Sequence, residues 1–195
     1  MRLFVAGPLP DALQAQLFAT LAATRRAASQ ARWVRPGQLH LTLDFLGEVD
    51  DSALPSLVDA LRPVGSRHPA LQLWLRGAGC FGRPHQPEVL FAELAGDVPG
   101  LGALQADVHE ALQKWKRPPA EPASPAFHPH LTLARARGRR GDAALGRCQR
   151  ALREQLLGGF LLERMVLFRS QLAQGGARHS PLVEFPLGST AAAHA

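Results

Sequence analysis

A tetrapeptide spelled twice constrains this chain more than any other feature. His-Leu-Thr-Leu stands at residues 40–43 within QLHLTLDFLG and again at 130–133 within HPHLTLARAR. With so few His and Thr in the chain, chance recurrence is expected in about one such sequence in a hundred or fewer. Side chains alternate faces along a strand, so His40 and Thr42 point one way while Leu41 and Leu43 point the other. The same alternation separates His130 and Thr132 from Leu131 and Leu133. Each copy therefore mounts an imidazole and a hydroxyl on a leucine-anchored strand, and the fold has to accommodate two such mounts.

A single strand histidine is more often structural than catalytic, but two matched His-x-Thr pairs reverse that weighting. If two similar lobes face each other across a pseudo-two-fold cleft, the imidazoles oppose one another, each with an ordinary pKa of about 6.5. One can accept a proton from a nucleophile while the other supplies one to a leaving group. The threonine hydroxyls, one strand step away, can donate to non-bridging oxygens of a phosphate held between the rings. This arrangement suits in-line displacement at phosphorus, where attacking and departing oxygens lie on opposite sides. It needs no metal and no cofactor.

Rival chemistries find less support. His128 and His130 could share a metal, but Pro129 separates them and neither a carboxylate nor a third histidine stands near in sequence. Cys80 and Cys148 have no metal or redox spacing, and no Gly-x-Ser-x-Gly elbow occurs. No P-loop signature is present.

The elements alternate. RLFVAG at 2–7 reads as a strand, and 12–27 as a helix that Asp11 can cap. RWV at 32–34 precedes the first motif strand, and a helix starting near Asp50, Asp51 or Ser52 is expected to stop at about Leu61, before Pro63. Residues 71–82 and 88–94 form a hairpin, 101–115 a helix, and a Pro-rich loop then opens onto the second motif. A helix near 142–157 and two closing strands, FLLERMVLFRSQL and PLVEFPL, complete the chain. The expected architecture is α+β: one bilobal domain over residues 1–188 with a frayed tail at 189–195.

Basic residues outnumber acidic ones by 22 to 16, and only Lys114 and Lys116 are not arginine. Arginine forks match phosphate oxygens, although a GC-rich coding sequence accounts for the excess more simply. No apolar run is long enough to span a membrane, the opening residues lack a secretory pattern, and a cytoplasmic location is expected.

RLFVAG, RWVRPGQLHLTLDFLGEV, GAGCFGRPHQPEVLFAEL and FHPHLTLARA together resemble the two-histidine (2H) phosphoesterase superfamily. The likeness is closest to its RNA 2',3'-cyclic phosphodiesterase branch, also called 2'-5' RNA ligase. The resemblance implies a bilobal 2H fold, with antiparallel sheets lining a central cleft and helices outside. It also implies metal-independent hydrolysis of RNA 2',3'-cyclic phosphate ends to 2'-phosphomonoesters, with 2'-5' ligation as a related activity. Carried over by position, His40 is the proton donor and His130 the proton acceptor, roles that exchange when the reaction is reversed. Thr42, Thr132 and Arg135 hold the phosphate. The implied partners are RNA with a cyclic phosphate end, such as tRNA fragments, and nucleotides, with the chain acting as a monomer away from membranes. Two other readings fit these residues: a non-catalytic nucleotide or RNA-end binding module, and a phosphodiesterase for small cyclic nucleotides.

Parity along the first motif strand places Phe45 with Leu41 and Leu43 in the core and Asp44 on the motif face. Phe81 fits either core packing or nucleobase stacking, Phe91 stands where the family often has Trp, and His128 shapes the strand entry. Arg137, Arg139 and Arg140 form a basic turn. His68, His85, His109, His179 and His194 fall outside the matched motifs and are assigned ordinary surface or core roles.

Overall fold

The structure, a computed structural model, describes residues 1–115, 126–138, 140–173 and 176–188. Most of the Pro-rich loop, Arg139 and the tail beyond Gly188 lie outside the described residues. The chain runs β1 (Arg2–Pro8), α1 (Asp11–Thr20), α2 (Ala22–Ala27), β2 (Arg32–Trp33), β3 (His40–Glu48) and α3 (Leu54–Arg67). It continues as β4 (Leu71–Arg83), β5 (Gln86–Gly96), α4 (Val98–Leu112), β6 (His130–Arg135), α5 (Ala143–Leu152), β7 (Leu156–Leu162), β8 (Arg164–Ala173) and β9 (Gly176–Pro186).

Two antiparallel sheets carry the motifs. One has the order β3-β1-β8-β9 and the other β2-β6-β5-β4-β7. Setting aside the two-residue β2, the orders correspond strand for strand: β3 with β6, β1 with β5, β8 with β4, β9 with β7. The motif strands β3 and β6 also pack against each other where the lobes meet. Helices cross between lobes: α1 follows β1 but packs on β7, and α4 follows β5 but packs on β3. This exchange stitches both sheets into one apolar cluster, in which Leu41, Leu43, Leu131 and Leu133 are all buried. Each buried leucine contributes about 1.5–3 kcal/mol of transfer free energy, so the motif strands are held by their backs.

Several local expectations need correction. The helix expected over 12–27 breaks at Leu21 into α1 and α2, and Pro10 rather than Asp11 occupies the N-cap position. Asp11 sits instead in the first turn, where its charge suits the helix dipole. Pro63 does not stop the second helix but lies inside α3, which continues to Arg67. Pro63 is exposed, as is Asp59 four residues earlier, so the carbonyl that loses its donor is on the side open to water. Meanwhile Val64 and Gly65 pack inward, Gly65 so tightly that an added Cβ would come within 2.9 Å of the Pro186 carbonyl oxygen.

The helix expected to reach about 157 ends at Leu152, capped at its start by Asp142, whose carboxylate accepts from the Ala144 amide at 2.8 Å. Residues 156–162 instead form the edge strand β7 on β4, so FLLERMVLFRSQL divides between two strands in different sheets.

Candidate active site

The alternation expected for the motif strands holds at their first four positions: His40, Thr42, His130 and Thr132 are half-buried, and the intervening leucines are buried. Each strand then carries an irregularity at the same place. Between β1 and β3 the register skips Leu43, because Val5 pairs with Asp44 and Ala6 with Thr42. Between β5 and β6 it skips Leu133, because Leu90 pairs with Ala134 and Phe91 with Thr132. A bulge adds one residue to one strand and reverses the parity beyond it.

The first consequence is that Phe45 is not in the core. It is 60% exposed and lies 5.7 Å from Phe4, on the same side as His40. Asp44 turns the other way, its carboxylate 3.3 Å from the His109 ring on α4. The second consequence concerns Arg135, the position matching Phe45 in the other lobe. It is exposed, and its charge reaches both His40 and His130.

The two motif imidazoles are mounted alike. His40 Nδ1 lies 2.8 Å from the Gln38 carbonyl oxygen, and His130 Nδ1 lies 2.8 Å from the His128 carbonyl oxygen. A carbonyl can only accept, so Nδ1 carries the hydrogen in both rings and Nε2 keeps a lone pair for chemistry. The backbone two residues upstream fixes tautomer and ring orientation in each case.

Phenylalanines back each ring. The His40 centroid is 5.0 Å from Phe4 and 6.4 Å from Phe168, while His130 is 4.9 Å from Phe81 and 5.3 Å from Phe91. Phe91 lies flat over β4 because residue 79 is glycine: a Cβ there would come within 2.3 Å of its ring. Phe81 both packs on Phe91, at 4.3 Å, and remains 37% exposed beside His130.

This apolar backing disfavours the charged imidazolium. Burial pushes the His40 pKa down to about 4, against the pull of the Gln38 carbonyl, and the nearby charges of His179, Arg135 and His130 act in the same direction as burial. Burial also lowers His130, opposed by the His128 carbonyl and reinforced by His128 and Arg135. Arg135 acts on both rings, and His130 acts on His40 across the junction where β3 meets β6. Burial thus favours the neutral ring at both positions.

Each motif imidazole has a second imidazole beside it, and only one of these two neighbours was singled out by the sequence. His179 on β9 lies 5.2 Å from His40, and His128 lies 6.3 Å from His130. His128 was visible through its spacing from the motif, but His179 belongs to no motif. Among the described residues no group of three or more His, Cys, Asp or Glu is arranged to hold a metal. A pocket of about 310 Å³ at the β4–β5 hairpin tip is lined by Arg83, His85, Gln86 and Gly141 among others, and by neither motif histidine.

Comparison with known proteins agrees with this architecture. The profile of the 2'-5' RNA ligase superfamily matches residues 9–173. An RNA 2',3'-cyclic phosphodiesterase of Aeropyrum pernix is 29% identical over 157 residues, spanning 80% of this chain and 86% of that protein. A solved protein of Thermus thermophilus superposes with a TM-score of 0.77 at 27% identity, over 97% of this chain and all of its own. E. coli LigT crystallised with 3'-AMP gives a TM-score of 0.73 at 26% identity, over 96% of this chain and 98% of its own. The doubled motif, the matched sheets that carry it and a profile running through both lobes lead to one assignment: the chain belongs to the 2'-5' RNA ligase superfamily.

Proposed function

We propose that this chain hydrolyses RNA 2',3'-cyclic phosphate ends to 2'-phosphomonoesters by metal-independent general acid–base catalysis, and that the same site supports 2'-5' ligation. The observation that carries this reading is the paired mounting of His40 and His130. Each Nδ1 is tied to a backbone carbonyl, which leaves both Nε2 atoms for proton transfer, and the charge of His130 is felt at His40. The relatives named RNA 2',3'-cyclic phosphodiesterase support the substrate, and LigT with 3'-AMP supports a ligand of nucleotide size.

In the forward direction a water attacks phosphorus in line with the P–O3' bond. His130 Nε2 takes the water proton as the new P–O bond forms. The P–O3' bond breaks, and His40 gives its proton to O3', leaving a 3'-hydroxyl and a 2'-phosphate. Thr42, Thr132 and Arg135 hold the non-bridging oxygens, where charge builds in the transition state. Substitution of a 5'-hydroxyl for water forms a 2'-5' linkage, and the reverse reaction exchanges the histidines' roles.

The low proton affinity of His40 in the substrate-free chain makes it a conditional acid. An anionic diester seated between the rings supplies the opposite charge that stabilises imidazolium, so protonation accompanies substrate binding.

The test is turnover of an oligonucleotide ending in a 2',3'-cyclic phosphate, in the presence of chelator. His40→Ala and His130→Ala are each expected to lower kcat by about 10²–10⁴-fold. Full activity in either variant, or a requirement for added metal, overturns the mechanism.

A further inference from the structure

His179 comes from the far edge of its sheet. In the order β3-β1-β8-β9 it lies three strands from His40, about 14 Å across a flat sheet, and their registers meet β1 at Arg2 and Pro8, far apart along the strand. The ring centroids are 5.2 Å apart, so the sheet curls until its edge strand faces its motif strand. Phe4 is the hub of the curl: it is 1% exposed, with His40 at 5.0 Å and His179 at 4.9 Å. The imidazoles meet edge to face at 79°. Gln38 fastens the same junction twice: its carbonyl accepts from His40 Nδ1, and its side-chain amide donates to the Ala177 carbonyl at 2.9 Å, two residues before His179.

Core packing alone does not account for a histidine here. His179 Nδ1 is buried and finds no hydrogen-bond partner among the described residues. A buried polar atom left in that state calls for a reason, since an apolar ring would fill the same space without it. The charged groups facing His40 are His179 from β9 and both Arg135 and His130 from β6, and only His179 shares its Phe4 seat. Burial drives both rings toward neutrality, and a proton on either opposes a proton on the other.

We propose that His179 is a positioning residue for this site: seated on Phe4 with its ring set edge to face against His40, it fixes that ring and couples the two imidazoles so that they compete for one proton. The proposal rests on the cyclic phosphodiesterase reading for its catalytic meaning, but its physical content concerns His40 alone. His179 thereby adds to the effect of burial: a proton on its ring opposes one on His40, and the charge of a bound phosphate acts against both. The other lobe has no equivalent dry pair, because His128 is exposed.

Two substitutions separate coupling from packing. His179→Gln keeps a polar side chain and removes the titrating charge, whereas His179→Arg makes the charge permanent. The His40 imidazole resonance, assigned by its loss in His40→Gln, is titrated by NMR in the substrate-free chain. In the Gln variant its midpoint is expected to rise by about half a pH unit or more, and in the Arg variant to fall. The acidic limb of the kcat/KM profile should move the same way in each, with KM at neutral pH in the Gln variant within about twofold of the parent. An unchanged His40 midpoint in the Gln variant, or movement in the same direction in both variants, overturns the proposal. Should the Arg variant not fold, the Gln titration alone decides. Should the parent chain cleave no cyclic phosphate, the functional reading fails while the NMR titration still decides the role of His179.

Discussion

Mounting a histidine against Phe4 and Phe168 makes the fold acid-sensitive in a way that can be measured without substrate. In the unfolded chain His40 titrates at about 6.5, whereas in the fold burial holds it at about 4. Between these values the unfolded state binds more protons than the native state, so stability falls as pH falls. The full contribution is present above the unfolded value, shrinks as pH drops below it, and is gone near pH 4. A difference of about 2.5 pH units at about 1.36 kcal/mol each gives about 3 kcal/mol. His40→Gln removes this titration and leaves His130 and His179 in place.

Urea unfolding, followed by fluorescence of Trp33, Trp74 and Trp115, measures both proteins from about pH 7 to about pH 4. With a urea m-value of about 2–3 kcal/mol/M, the parent midpoint should fall by about 1 M more than that of the variant. Most of the divergence should develop below about pH 6.5. Parallel curves, separated by the same free energy at every pH, would refute the claim that His40 is held neutral by its seat.

Gly79→Ala drives a methyl into the Phe91 ring that backs His130; it should cost about 1–3 kcal/mol in denaturant unfolding and lower kcat/KM on the cyclic phosphate oligonucleotide. Pro63→Ala restores a helical amide on the exposed side of α3 and should raise stability by about 1–3 kcal/mol, read as a higher Tm with unchanged kcat. Arg135→Ala should raise KM more than it lowers kcat, by about tenfold, with Arg135→Lys recovering only part because it lacks the planar fork.

The motif strands were legible because they are bounded, apolar-alternating segments, and their four site positions have the expected burial. The hairpin β4–β5 and helix α4 were legible for similar local reasons. Strand β7 was not, since LLGGFLL is a short apolar run without alternation and follows a helix directly; pairing with β4 decides its state. Pro63 misled because a proline rule describes the isolated helix, and here inward packing of Val64 and Gly65 carries the helix past it. Phe45 misled because parity was extended across a bulge that the strand does not announce on its own.

The sequence by itself determined which chemistry is present: two imidazole–hydroxyl pairs, each on a strand anchored by two leucines, and a local alternation that depends only on backbone geometry. Tertiary structure decided where that chemistry points. The bulges at Leu43 and Leu133 exist only as mismatches between partner strands, and beyond them Phe45 and Arg135 are exposed rather than in the core. The curl that sets His179 against His40 belongs to four strands together, two from the start of the chain and two from its end. Side-chain alternation is a property of one strand, but register and curvature belong to pairs and sheets, so no inspection of a single segment could have found the third imidazole.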